Sequence, residues 1–196
     1  MIRPLVGHLA RAVSWGPLAV VGLAGLLAVA LTSDPGATLL RAQVAGVALG
    51  AAGAYVLDDP AAMTLGSSPT SLAKRCALRL TGGVLVALAA WGAIALAARG
   101  DVPLRGLTLE ALTFLVLGFA VAALSARLVS PTVAGTIGSV IVVVVAASGL
   151  VARARWWPIP TSPLDPSATR ELAVLTVVGL VLLLPASRDP AARTLR

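Results

Sequence analysis

The sequence predicts an all-α polytopic membrane protein, six transmembrane helices preceded by an amphipathic interfacial helix, as a single transmembrane domain over residues 1–196. Three observations predict it. Of the 196 residues, 58% are hydrophobic and only 12% are charged. A soluble domain carries about a quarter charged residues, so too few polar groups remain here to cover a water-facing surface. The mean hydropathy is +0.96. Finally, six apolar runs stand out, at 17–32, 38–57, 77–98, 107–126, 131–151 and 171–186. About 20 apolar residues cross the ~30 Å hydrocarbon layer, and in lipid each must satisfy its own backbone hydrogen bonds, which makes it a helix.

The first element, residues 1–16, places Ile2, Val6, Leu9 and Val13 on one helical face and Arg3, Gly7, Arg11 and Ser14 on the other. That pattern suits a helix lying in the membrane interface, with Trp15 at its end. Gly16-Pro17 breaks it, and Pro17 is suited to the first turn of span one. A basic start and an apolar run also describe a secretory signal. A cleaved signal has an apolar core of about 7–15 residues and is not followed by five more spans, so the segment reads as retained. Spans one and six are short and need flanking residues, bilayer thinning or oblique packing. Gly82 and Gly83 in span three, and Gly135, Gly138 and Ser139 in span five, are small residues that let helices approach closely. The loop at 152–170 opens on Trp156 and Trp157 with Pro158 and Pro160 behind them. It reads as a surface loop at the outer interface, with a re-entrant course as the alternative.

Six spans put both termini on one side. The amino terminus, second loop, fourth loop and tail (187–196) hold nine Lys and Arg residues, and the opposite face holds six. The positive-inside rule then places both termini in the cytoplasm. Arg outnumbers Lys fourteen to one and Asn is absent, which points to a GC-rich bacterial genome and so to the bacterial cytoplasmic (inner) membrane.

The net charge of +7 is scattered through short loops without a basic stripe, which argues against nucleic acid as a partner. One cysteine, Cys76, and one histidine, His8, exclude a multi-cysteine metal site, a clustered zinc site and a Ser-His or Cys-His catalytic pair. No metal site or catalytic residue is expected. Glu110 and Arg127 stand near the two ends of span four, where both are expected at interfaces. The remaining interior suits a hydrophobic or amphiphilic cargo better than an ion, because ion-coupled transporters need buried carboxylates or broken helices at midplane.

One phrase repeats. D-P-A-A-x-T-L runs from Asp59 to Leu65 and again from Asp189 to Leu195, each time after a hydrophobic stretch. Asp is a good N-cap and Pro is favoured in the first turn, so Asp59-Pro60 and Asp189-Pro190 each read as the start of a short helix. A generic turn signal at the interface is the plainer reading. The first copy has more around it. Asp58 precedes it, Met63, Thr64 and Leu65 close it, and Gly66, Ser68-Pro69 and then Lys74, Arg75 and Arg79 follow.

An acidic pair after span two, then "TL", then "SPTS" and basic residues resembles the loop between spans two and three of ABC type-2 exporter permeases, the membrane-spanning subunits of ATP-binding-cassette transporters. The amphipathic start and six spans resemble that family as architecture; the motif covers residues 58–79. The acidic positions are Asp where the family is Glu-rich, the gap from "TL" to "SP" is about a turn shorter, and the chain is shorter than usual. The resemblance implies a cytoplasmic coupling loop at 58–75 that docks on a separate ATP-binding subunit. Asp59 and Pro60 would start the coupling helix, Met63, Thr64 and Leu65 would present the docking face, and Lys74 and Arg75 would follow. Asp58 would pair with Arg75 or Arg79. Asp189, Pro190, Thr194 and Leu195 would touch the same ATPase or brace the first helix. The chain has no G-x-x-x-x-G-K-[ST] and is not itself expected to be an enzyme; ATP and Mg would be bound by the partner. A second permease copy or a homologous permease and membrane lipid complete the implied partners. Two other readings stand beside this one: the substrate-binding membrane component of an energy-coupling-factor importer, and a noncatalytic membrane scaffold or assembly protein.

Overall fold

A computed structural model describes residues 13–58, 72–98, 102–152 and 166–186. Within them the chain is all-helical, with no strand. The helices are α1 (Gly16–Ala30), α2 (Pro35–Ala54), α3 (Leu72–Ala97), α4 (Leu104–Leu128), α5 (Ala134–Ala152) and α6 (Pro166–Ala186), with a 3-10 turn at Tyr55–Leu57 finishing α2. Residues 1–12 of the expected interfacial helix, 153–165 of the expected outer loop at 152–170 and the expected tail at 187–196 lie outside the described residues; residues 13–15 are not helical, and Ala152 and 166–170 belong to α5 and α6 rather than to a loop.

Helix starts follow local chemistry more closely than the apolar runs do. Pro17 sits in the first turn of α1. α2 begins three residues ahead of its apolar run because Asp34 caps it: its Oδ2 accepts from Ala37 N at 2.7 Å, with Pro35 in the first turn. α6 starts at Pro166. α5 starts later than its run because residues 131–133 behind Ser130 form a turn.

Three helices are long and apolar enough to cross a membrane: Pro35–Leu57, Ala77–Ala97 and Leu104–Leu128. Shorter apolar helices lie at Gly16–Ala30, Ala134–Ser148 and Leu172–Val181. The outward faces carry large apolar side chains such as Leu23, Leu85, Val143 and Val177, as a protein embedded in lipid requires.

α4 is the axis of the bundle. It packs on α2, α5 and α6 and touches α3 lightly, while α1 leans on α2 and α3. Among the described residues α6 meets α4 alone. Lipid tails are as apolar as leucine, so helices in a membrane associate through close van der Waals fit. The tightest fit is the crossing of α2 over α4. A Cβ on Gly50 would lie 2.6 Å from the backbone carbon of Phe114, and one on Gly118 would overlap the Gly50 carbonyl oxygen. Gly46 meets Ala111 at the same crossing, with Phe114 and Phe119 buried beside it. Gly138 of α5 presses on Ala54, the Gly118 carbonyl and Ala122, and Gly83 of α3 presses on Val56. The small residues expected to permit close approach do so at Gly83, Gly135 and Gly138. The Gly46-Gly50 spacing carries the same signal inside α2.

Candidate functional site

The mouth of the 58–75 loop is built from the ends of three helices. α2 runs out through the 3-10 turn, whose last bond is Asp58 N donating to Tyr55 O at 3.1 Å. Asp58 then stands in extended backbone, free of the helix and able to aim its carboxylate elsewhere. Its Oδ1 accepts from the Gly135 amide at 2.6 Å. Gly135 is the second residue of α5, so the carboxylate fills an unsatisfied donor at that helix's amino end, where negative charge is also favoured by the helix dipole. No other residue type fits there, because a Cβ on Gly135 would lie 2.6 Å from Tyr55 Cα and 2.9 Å from both carboxylate oxygens.

Arg79, about two turns into α3 and 3% exposed, donates from Nη1 to the Asp58 carbonyl oxygen at 2.9 Å. Arg79 thus meets Asp58 through the backbone as well as through charge. Burial pushes the Asp58 carboxyl above its ordinary value of 3.8, and the Gly135 N–H and the Arg79 charge pull it back. One turn along α5, Ser139 Oγ lies 3.2 Å from the Tyr55 hydroxyl and donates its own proton to Thr136 O at 2.9 Å. Asp58, Tyr55, Arg79, Gly135 and Ser139 therefore tie α2, α3 and α5 together at one pole of the bundle.

Of the residues expected to form the coupling loop, the structure places Asp58 in this junction and Lys74 and Arg75 in the first turn of α3. Asp59, Pro60, Met63, Thr64 and Leu65 lie outside the described residues, as do Asp189, Pro190, Thr194 and Leu195. The expected pairing of Asp58 with a nearby arginine points to Arg79; the Gly135 contact, 77 positions away, has no local signal.

At the opposite pole α4 carries a polar belt. Trp91 Nε1 of α3 donates to Thr108 Oγ1 at 3.2 Å. Gln43 Nε2 of α2 donates to Glu110 Oε2 at 3.4 Å. Thr113 and Thr176 of α6 lie 2.8 Å apart through their hydroxyls, with Thr176 also 2.8 Å from Leu172 O. α4 begins at Leu104, so the Glu110 carboxyl falls in the second turn, and neighbouring helices cover it to 9% exposure. A single acidic residue at the edge of an apolar run does not show which neighbour will cover it. Among the described residues no group of three or more His, Cys, Asp or Glu side chains is arranged to hold a metal ion.

No family profile, no curated protein and no solved structure matches the chain.

Proposed function

We propose that the chain is the membrane-spanning permease subunit of an ATP-driven exporter in the bacterial cytoplasmic membrane. It moves a hydrophobic or amphiphilic substrate and works with a second permease copy or a homologous permease. All six helices are spans and both termini are cytoplasmic. A separate ATP-binding subunit, which holds ATP and Mg, docks on residues 58–75.

The observation that supports this most is the Asp58 junction. A docking segment transmits movement to the spans only if its root is fixed to them, and the root here is bonded to α5 through the Asp58 carboxylate and to α3 through the Asp58 carbonyl. Displacing Asp58 displaces three helices at once. The Asp-Pro pairs support the rest. Asp34-Pro35 opens α2 with Asp34 Oδ2 accepting from Ala37 N, and a helix also begins at Pro166, next in sequence to Asp165. Asp59-Pro60 then starts the coupling helix by the same chemistry, with Met63, Thr64 and Leu65 on its docking face. Asp189-Pro190 repeats the device, and Thr194 and Leu195 give a second cytoplasmic contact.

The test is co-purification. The tagged chain is extracted gently from its native membrane and its partners are identified by mass spectrometry, beside Thr64→Arg and Leu65→Arg. An ATP-binding subunit retained by the unaltered chain and lost from both variants is the expected result. Its absence under every mild condition would overturn the exporter reading.

A further inference from the structure

Glu110 has a carboxyl that the junction at the other pole does not use. It is 9% exposed, and its one hydrogen bond among the described residues comes from the neutral Gln43 amide at the long distance of 3.4 Å. The other buried polar side chains described are Thr38, Arg79, Thr113, Ser125 and Ser139. Arg79, the basic member of that set, is committed to the Asp58 junction at the far pole. Arg105, on the same helix, is exposed. An ionised carboxylate removed from water is costly unless an opposite charge compensates it, and ionisable groups within membrane spans mark function by default.

The donor and acceptor inventory says what fits. Gln43 has turned its nitrogen towards Glu110, which leaves its amide oxygen and the second carboxylate oxygen as acceptors. The pair accepts hydrogen bonds and attracts positive charge. Its depth says where the charge comes from. Glu110 lies six residues into α4, about 9 Å of rise from the start of a helix long and apolar enough to cross a membrane, a depth that the charged head of an amphiphile entering from that end would reach.

We infer that Glu110 and Gln43 form a binding point for one positively charged group of the cargo, a protonated amine or quaternary ammonium on an apolar tail. Calling that ligand a cargo rests on the exporter reading; the site itself does not. The test uses the full chain in nanodiscs of neutral phosphatidylcholine, with radiolabelled decyltrimethylammonium as probe and decanol as the uncharged comparator. Charge-selective binding is expected, with affinity for the ammonium falling tenfold or more in Glu110→Gln and a few-fold in Gln43→Leu. Glu110→Asp is expected to restore part of it, and Asp34→Asn, a carboxyl change elsewhere, to leave it unaltered. Equal affinity for ammonium and alcohol, or an unchanged Glu110→Gln, would overturn the inference. Sodium displacing the ammonium at comparable concentration would overturn the amine assignment in favour of an inorganic cation. Melting of each variant alongside separates a lost site from a lost fold. Charge-selective binding without any co-purifying ATPase removes the exporter reading and keeps the site. An ATPase partner without charge-selective binding removes the site alone.

Discussion

The Asp58 carboxylate accepts from the Gly135 amide at 2.6 Å, so a residue at the end of α2 caps the start of α5, 77 positions further on. This single bond joins the root of the loop at 58–75 to a helix that is remote in sequence, and it can be removed without touching any apolar packing.

Asp58→Ala is expected to destabilise the protein by about 1–2 kcal/mol, the upper part of the range for losing a helix amino-terminal cap. Asp58→Asn keeps an acceptor oxygen and is expected to recover most of that. Thermal unfolding of the detergent-solubilised variants measures the difference. Equal losses in both would show that charge, and not the hydrogen bond, holds the junction.

The pH dependence of the same group has a definite sign. Burial raises the folded carboxyl above 3.8, so the folded chain holds this proton to higher pH than the unfolded chain does. Between the two values the native state binds more protons, and stability falls as pH rises. The contribution is fully present below 3.8 and is lost as pH passes through the raised folded value. Relative to Asp58→Asn, which does not titrate, the unaltered chain is expected to lose ground as pH climbs from 3.5 to 7. Melting points of the two proteins across that range measure it, and a gap that moves the other way would contradict the burial argument.

The crossing of α2 and α4 tolerates no side chain at its centre. Gly118→Val drives a branched group into the Gly50 carbonyl and is expected to cost about 3 kcal/mol, the upper end for overpacking, or to prevent folding. Gly92 of α3 is the contrast, with nothing within 4 Å of the position a Cβ would take. Gly92→Ala is expected to leave stability unchanged or raise it by up to about 1 kcal/mol through helix propensity. The pair of melting curves distinguishes a specific crossing from a general intolerance of added methyl groups.

Thr113 and Thr176 hold α6 to α4 through hydroxyls 2.8 Å apart. A double-mutant cycle with Thr113→Val and Thr176→Val is expected to give a coupling of about 0.6 kcal/mol, the average for polar contacts between membrane helices. A coupling near zero would assign that contact to apolar packing, with Gly179 against Val116 carrying it.

Much of the helix pattern is legible in the sequence because lipid imposes a simple rule on composition and length. The apolar runs locate all six helices, and Pro17, Gly83, Gly135 and Gly138 occupy the roles their residue types suggest. Errors fall at helix starts, where the Asp34 cap moves α2 three residues forward and α4 also begins three residues early, at Leu104: capping acts on residues that hydropathy ignores. Arg79 was within reach of sequence reasoning because only 21 positions separate it from Asp58. The Gly135 contact and the Gln43–Glu110 pair were not, since 77 and 67 positions intervene and neither Gly135 nor Gln43 is unusual in its own segment. The Gly46-Gly50 spacing was legible and marks the face of α2 that meets α4.

Among the described residues α6 touches α4 alone, whereas α1, α2, α3 and α5 are each braced by at least two other helices. One flank therefore hangs on a single seam: the Thr113–Thr176 hydroxyl pair and the Gly179–Val116 approach carry the described attachment of α6.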